Sequence, residues 1–138
     1  MEHEITWGGD PEDVYVTISG VATVEGLDIW VQELLADPGF RPGLRVLVDE
    51  RRLDWSQMHS EDIERRVDLI AKDTARFGDA YAAMVVGTQV DYGVTRIEQA
   101  HVDSRPELRP RLRVFLSVEE AREWLRERAA AETRPADS

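Results

Sequence analysis

Three apolar runs, "RVLVD", "AYAAMVVG" and "LRVFL", alternate with stretches whose apolar residues recur every three or four positions. That change of period leaves few folds open. A strand with no polar alternation is buried on both faces, as the inner strands of a helix-covered parallel sheet are. Between the runs, Leu27, Trp30, Val31, Leu34 and Leu35 fall on one helical face that begins at the N-cap Thr23 and stops at Asp37, Pro38 and Gly39. From Ser60, read as an N-cap, Ile63, Val67, Ile70, Thr74 and Phe77 describe what is expected to be the longest helix. Glu61–Arg65 and Asp62–Arg66 would pair on its solvated side. Thr88 caps a short helix with Val90, Val94, Ile97 and His101 on one face. Ser117 and Glu120 form a capping box for a final helix that buries Ala121, Trp124 and Leu125. At the start, "EITW" and "VYVTISG" flank the turn-forming "GGDPED", so a hairpin opens the chain.

The expected order is therefore β-β-α-β-α-β-α-β-α. The fold class is α/β, a mainly parallel sheet of four or five strands with an opening hairpin, covered by about four helices. The 138 residues fit one domain, placed at 1–128, with "AAAETRPADS" at 129–138 as a flexible tail.

Composition removes several function classes. Without cysteine there is neither a disulfide framework nor a thiolate metal site, and the three histidines lack ligand spacing, so no metal and no cofactor are expected. The start "MEHEITWGGD" has no signal-peptide pattern and no apolar run is long enough to span a bilayer. A cytoplasmic protein with no membrane insertion is expected. The formal charge is −11, with 12 acids against 4 arginines in residues 1–60. Arg105, Arg109, Arg111 and Arg113 form the one basic concentration and read as solvated edge charge, so no nucleic-acid partner is expected.

In open α/β sheets ligands bind beyond the carboxyl ends of the strands. Asp49, Arg51, Arg52, Trp55, Ser56, His59, Gly87, Tyr92 and Arg96 lie in segments that leave such ends. The candidate cleft joins Asp49, Arg51 and Ser56 to aromatic walls Trp55 and Tyr92, with Arg96 anchoring an anionic head beside the helix N-terminus after Thr88. The plainer alternative has Trp55 and Tyr92 sealing the core and Arg96 pairing with Asp91 or Asp103. Asp49 is expected to close its strand by accepting N–H groups of the next turn. Ser56, His59 and Asp49 lack the glycine-bearing elbow that presents a nucleophilic serine, so no catalytic residue is assigned. Trp7, Trp55 and His101 are the interface candidates.

The series "VYVTISGVATVEGLDIWVQELLADPGFRPGLRVLVDERRLDW", then "YGVTRIEQA", then "RVFLSVEEAREWL" resembles the SpoIIAA-like, or STAS-like, family of small bacterial domains, over roughly residues 3–127. The resemblance implies four or five strands with about four helices, frequent dimerisation, and a fold related to the CRAL-TRIO lipid carriers. It implies no activity. The phosphorylated anti-sigma-factor antagonists of the wider STAS group carry an aspartate, a serine and a glycine at the helix after the matching strand. Here the stretch is "LDWSQMHSEDI", with only Ser56 and Ser60 as acceptors and Glu61 and Asp62 beside Ser60. The leading expectation is a non-enzymatic STAS-like binding or regulatory module, a homodimer that takes a protein partner or a small apolar or anionic ligand. A phospho-regulated switch through Ser56 or Ser60 is the alternative, and a hydrolase using Asp49 with Ser56 or His59 comes third.

Overall fold

Period-two alternation in the first 21 residues builds the hairpin: β1 (Glu2–Trp7) pairs antiparallel with β2 (Val14–Val21), sending Ile5, Trp7, Val14 and Val16 inward and Glu2, Glu4, Thr6 and Thr17 outward. The computed structural model describes residues 1–133, and side chains to residue 129. After the hairpin come α1 (Val24–Ala36), β3 (Arg45–Asp54), α2 (Ser60–Lys72), α3 (Thr74–Phe77), β4 (Tyr81–Val85), α4 (Gln89–Asp103), β5 (Arg111–Phe115) and α5 (Val118–Thr133). The five strands lie side by side in chain order, with every pair after the hairpin parallel.

That order decides where the helices go. Right-handed crossovers between sequential neighbours all return over the same face, so α1, α2 and α4 share one side of the sheet. Val16, Leu34, Val48, Val67, Met84 and Val114 are among the residues of this main core. Among the described residues only α5 covers the opposite side, where Leu47, Ala83, Val85, Phe115, Trp124 and Leu125 form a smaller core. The outward face of β1 and β2 keeps polar side chains such as Glu4 and Thr17.

Several expectations are corrected by packing. Asp49 does not end its strand: β3 continues to Asp54, because β2 remains beside it after β4 has stopped at Val85. Thr17 faces Asp49 while Ser19 faces Arg52, so Ile18 stands against two residues of β3 and the strand bulges there. Gly87 lets the chain leaving β4 pass close against β3, since a Cβ on it would stand 3.1 Å from the carbonyl oxygen of Arg51. The helix from Ser60 is not the longest. It breaks at Asp73 into α2 and the single turn α3, whereas α4 and α5 have 15 and 16 residues. Its N-cap is His59, whose backbone N–H donates to the Asp62 carboxylate at 3.0 Å. Thr23 and Thr88 cap as expected, accepting from Gly26 and Asp91. On α4, Val90 is 75% and Ile97 51% exposed, and the buried positions are Thr95, Glu98 and Val102. Helix α5 runs into the stretch expected to form the tail, and 134–138 lie outside the described residues.

Candidate functional site

Strand alternation and helix periodicity carry three charged residues into the main core. On β3, Val46 and Val48 face α1 and α2, and Glu50 follows them at the same parity. On α2, Arg66 lies three residues after Ile63 and beside Val67, on the buried stripe and not on the solvated side expected for it. On α4, Glu98 lies between Thr95 and Val102. The side chains of Glu50, Arg66 and Glu98 are 2%, 4% and 1% exposed.

Arg66 Nε donates to Glu98 Oε1 at 2.9 Å, and Arg66 Nη2 stands 3.9 Å from Glu50 Oε2. The ring of Trp55 lies against the guanidinium, 5.0 Å from centroid to Cζ. Two acceptors are left over: Glu50 Oε2 and Glu98 Oε2 are buried without a hydrogen-bond partner. Burial pushes the Glu50 carboxyl up to about 8, against the pull of Arg66, and the neighbouring Glu98 and Asp49 charges add to the rise. For Arg66 burial disfavours the charge, but Glu98 and Glu50 outweigh it and hold the guanidinium ionised. Three buried ionisable groups cost several kcal/mol each to dehydrate. A carboxyl so strongly perturbed beside a cavity marks a candidate site.

The cluster forms one end of an internal cavity of about 80 Å³ between the sheet and α1, α2 and α4. Leu27, Trp30, Val48 and Met84 belong to its apolar walls. Most of the lining is buried, but Ile70, Phe77, Ala82 and Arg111 keep partial exposure. Ala82 and Arg111 stand near the start of β4 and β5, the other end of the strands from Glu50, and Ile70 and Phe77 stand near the ends of α2 and α3, which lead into β4. They mark the mouth.

The residues expected to share a strand-end cleft are divided by the sheet. Asp49 and Arg51 stand on the face away from the cavity: Arg51 donates to Asp49 through Nε at 2.9 Å and Nη2 at 2.7 Å, and the Tyr15 hydroxyl donates at 2.8 Å. The Arg51 hydrogen bonds hold the Asp49 carboxyl below its usual range despite partial burial, with Tyr15 adding to the effect. They border a polar surface hollow with Glu4, Thr17 and Arg52. Trp55, expected as a cleft wall or an exposed interface residue, is 5% exposed and packs in the main core. Tyr92 is half-buried against that core, and Arg96, exposed, donates to its hydroxyl at 3.1 Å instead of pairing with Asp91 or Asp103. Ser56 and Ser60 are exposed. Ser56 N–H donates to Asp54, and Ser60 precedes Glu61 and Asp62, so a phosphate on either would meet negative charge. Trp7 and His101 are half-buried.

Periodicity holds the signal that finds Glu50, Arg66 and Glu98: each is a charged residue in an inward register. No protein-family model matches the sequence, and no curated protein matches it. Among solved structures the chain is similar to an uncharacterised protein from the DUF3478 family with a SpoIIAA-like fold, from Shewanella loihica PV-4. Identity is 17% and the TM-score 0.56, with 89% of this chain and 93% of that chain covered. The likeness shows the fold: this chain has a SpoIIAA-like α/β fold, the one its sequence resemblance implied.

Proposed function

We propose that the protein is a non-enzymatic binding module that takes a small, largely apolar ligand into the cavity between its sheet and helices α1, α2 and α4. One observation carries this reading: the structure holds an internal cavity walled almost wholly by apolar side chains, with the buried charged residues Glu50, Arg66 and Glu98 among its lining, and small-molecule sites are concave and mostly apolar with few polar groups. The cavity volume exceeds what one water needs and is about half that of an engineered ~150 Å³ cavity that binds benzene, so the fit is to a few heavy atoms. A regulatory role follows if occupancy alters the faces of α2 and α4 that flank it. Pairing of two copies, which the family resemblance implies, belongs to the same reading.

The test is a melting-temperature screen with short neutral alcohols and benzene. A binder stabilises the fold by about 2.7 kcal/mol at a hundredfold excess over Kd. Ala82→Leu, which places three more carbons at the mouth, is expected to abolish the shift without unfolding the protein. Should no small apolar probe move the wild-type melting temperature at millimolar concentration, the cavity is packing slack and the reading fails.

A further inference from the structure

We propose that a groove at the edge of the sheet, bounded by α4, β5 and α5, binds a compact polyanion of the pyrophosphate class, its two phosphoryl groups held by Arg96, Arg111, Arg113 and Arg128. The groove shares only Arg111 and Leu112 with the lining of the apolar cavity, and the two readings are independent. Local periods bring the side chains together. Arg111 and Arg113 are two apart on β5, in step with Phe115, so they point to the side of the sheet that α5 covers. On α4, Arg96, Gln99 and Asp103 recur at three and four residues, and on α5 Arg128 follows Trp124 by one turn. With Tyr81 and Leu112 they line a hollow of about 330 Å³, a size that suits a small molecule. Tyr81 and Trp124, edge to face with centroids 5.7 Å apart, supply its aromatic floor.

The fold splits the basic cluster of the sequence into two pairs. Arg105 reaches Asp68 and Glu107, each at 3.0 Å, and Arg109 reaches Asp79 at 3.1 Å. Those two are neutralised. Arg111 and Arg113 have no carboxylate within ion-pair distance among the described residues: Asp79, already engaged by Arg109, feels Arg111 only at longer range, and Arg113 lies over the Phe115 ring, 5.6 Å from Cζ to centroid. Arg96 donates to the Tyr92 hydroxyl at 3.1 Å and has no acid partner there either, and Arg128 has Glu127 at 3.9 Å. Four arginines against Asp103, the one acid of the lining among the described residues, leave the groove positive in a chain whose formal charge is −11. With 28 acids for 17 bases in the sequence, these arginines do not lack partners for want of carboxylates.

A guanidinium presents a planar fork of N–H donors that matches two phosphate oxygens, and it stays charged at any working pH. Two phosphoryl groups together carry about three to four negative charges, enough to answer four arginines offset by one aspartate, whereas a single group falls short. The aromatic floor keeps water from one side and strengthens the attraction. An added β-strand is a poor occupant, because the outer N–H of Val114 on this edge strand already donates to Gln99 Oε1 at 3.1 Å. A nucleic-acid strand is disfavoured too: its charge repeats along its length, and the exposed positions of α5 beside Arg128 include Glu123 and Glu127.

The experiment is calorimetric titration of the full chain, in metal-free buffer at neutral pH, with inorganic pyrophosphate, inorganic phosphate, citrate and a short single-stranded oligonucleotide. Pyrophosphate is expected to bind about tenfold or more tightly than phosphate or citrate, and to weaken as salt is raised, because the contacts are ionic. Arg113→Gln, at an exposed position, should weaken pyrophosphate about tenfold, the scale of a lost hydrogen bond to a charged group, with the melting temperature unchanged. Arg96→Gln repeats the test from a second element should R113Q not fold. Arg109→Gln, whose arginine is engaged by Asp79, should bind as wild type. No pyrophosphate binding at millimolar concentration overturns the site. Equal losses in R109Q and R113Q make the attraction a property of the whole basic edge and overturn the groove assignment. Phosphate or citrate binding as tightly as pyrophosphate overturns the diphosphoryl assignment, and an oligonucleotide that binds more tightly through Arg113 gives the groove to nucleic acid instead.

Discussion

Arg66 occupies a position where the period of α2 demands an apolar side chain, and it is tolerated there because two carboxylates come to meet it. Replacing it with methionine preserves volume but leaves Glu98 and Glu50 facing each other in the core. The expected cost is about 3–5 kcal/mol, read from the urea midpoint at pH 7. A midpoint equal to wild type would mean the cluster is solvated in solution. Glu50 gives the opposite behaviour with pH. Its folded value near 8 lies above the ordinary 4.5, so between those limits the native state holds a proton that the unfolded chain releases. Stability from this group is full below about pH 4.5 and is lost as pH rises to 8, by at most about 1.4 kcal/mol per unit. Urea midpoints at pH 5, 6, 7 and 8 should therefore fall for wild type relative to Glu50→Gln. Parallel curves for the two proteins would assign Glu50 an ordinary acidity.

Among the described residues helix α5 is the sole cover of its side of the sheet, and its docking depends on more than Trp124 and Leu125. Arg122 holds Glu12, in the hairpin turn, through Nη2–Oε2 at 2.9 Å and Nε–Oε1 at 3.2 Å, and its Cζ lies 5.9 Å from the centre of the Tyr15 ring. The Glu12 side chain is 4% exposed against 38% for Arg122, so the pair is asymmetric: removing the arginine strands a buried carboxylate. Arg122→Ala should cost about 1–3 kcal/mol and speed hydrogen exchange of α5 amides before those of β3. Adding Glu12→Gln should recover part of the loss, because the stranded charge is then gone. Unchanged α5 exchange in the single variant would show that apolar docking suffices. Helix α4 teaches a different lesson. The apolar positions Val90 and Ile97 face solvent, because Thr95, Glu98 and Val102 are the residues that α4 buries.

At the scale of the molecule, strand order explains both the cavity and the bare face. Three crossover helices crowd one side, and their axes cannot close perfectly over a twisted sheet, which leaves space among α1, α2 and α4. The other side has, among the described residues, one helix for five strands, so β1 and β2 expose polar residues there. No helix among the described residues is long and apolar enough to cross a membrane. Self-association is tested by sedimentation at tens of micromolar. The expected species has twice the 15.7 kDa chain mass, and a single species at the chain mass would remove the dimer.

The sequence by itself determined the element order, the parallel inner strands, the opening hairpin and three of the caps, because these depend on local period and on side chains that bond within a turn of themselves. It also held Glu50, Arg66 and Glu98 in inward registers, but as separate anomalies on three elements. Only the tertiary structure decided that they meet. Glu50 and Glu98 are far apart along the chain, and nothing local records which rotation α4 adopts or that β3 outlasts β4 beside β2. The same reason explains the division of the strand-end candidates: Asp49 and Trp55 are close in sequence, but strand alternation interrupted by a bulge sends one to the α5 side and the other into the main core. Side-chain parity along a strand is local, whereas what lies above each face is set by topology.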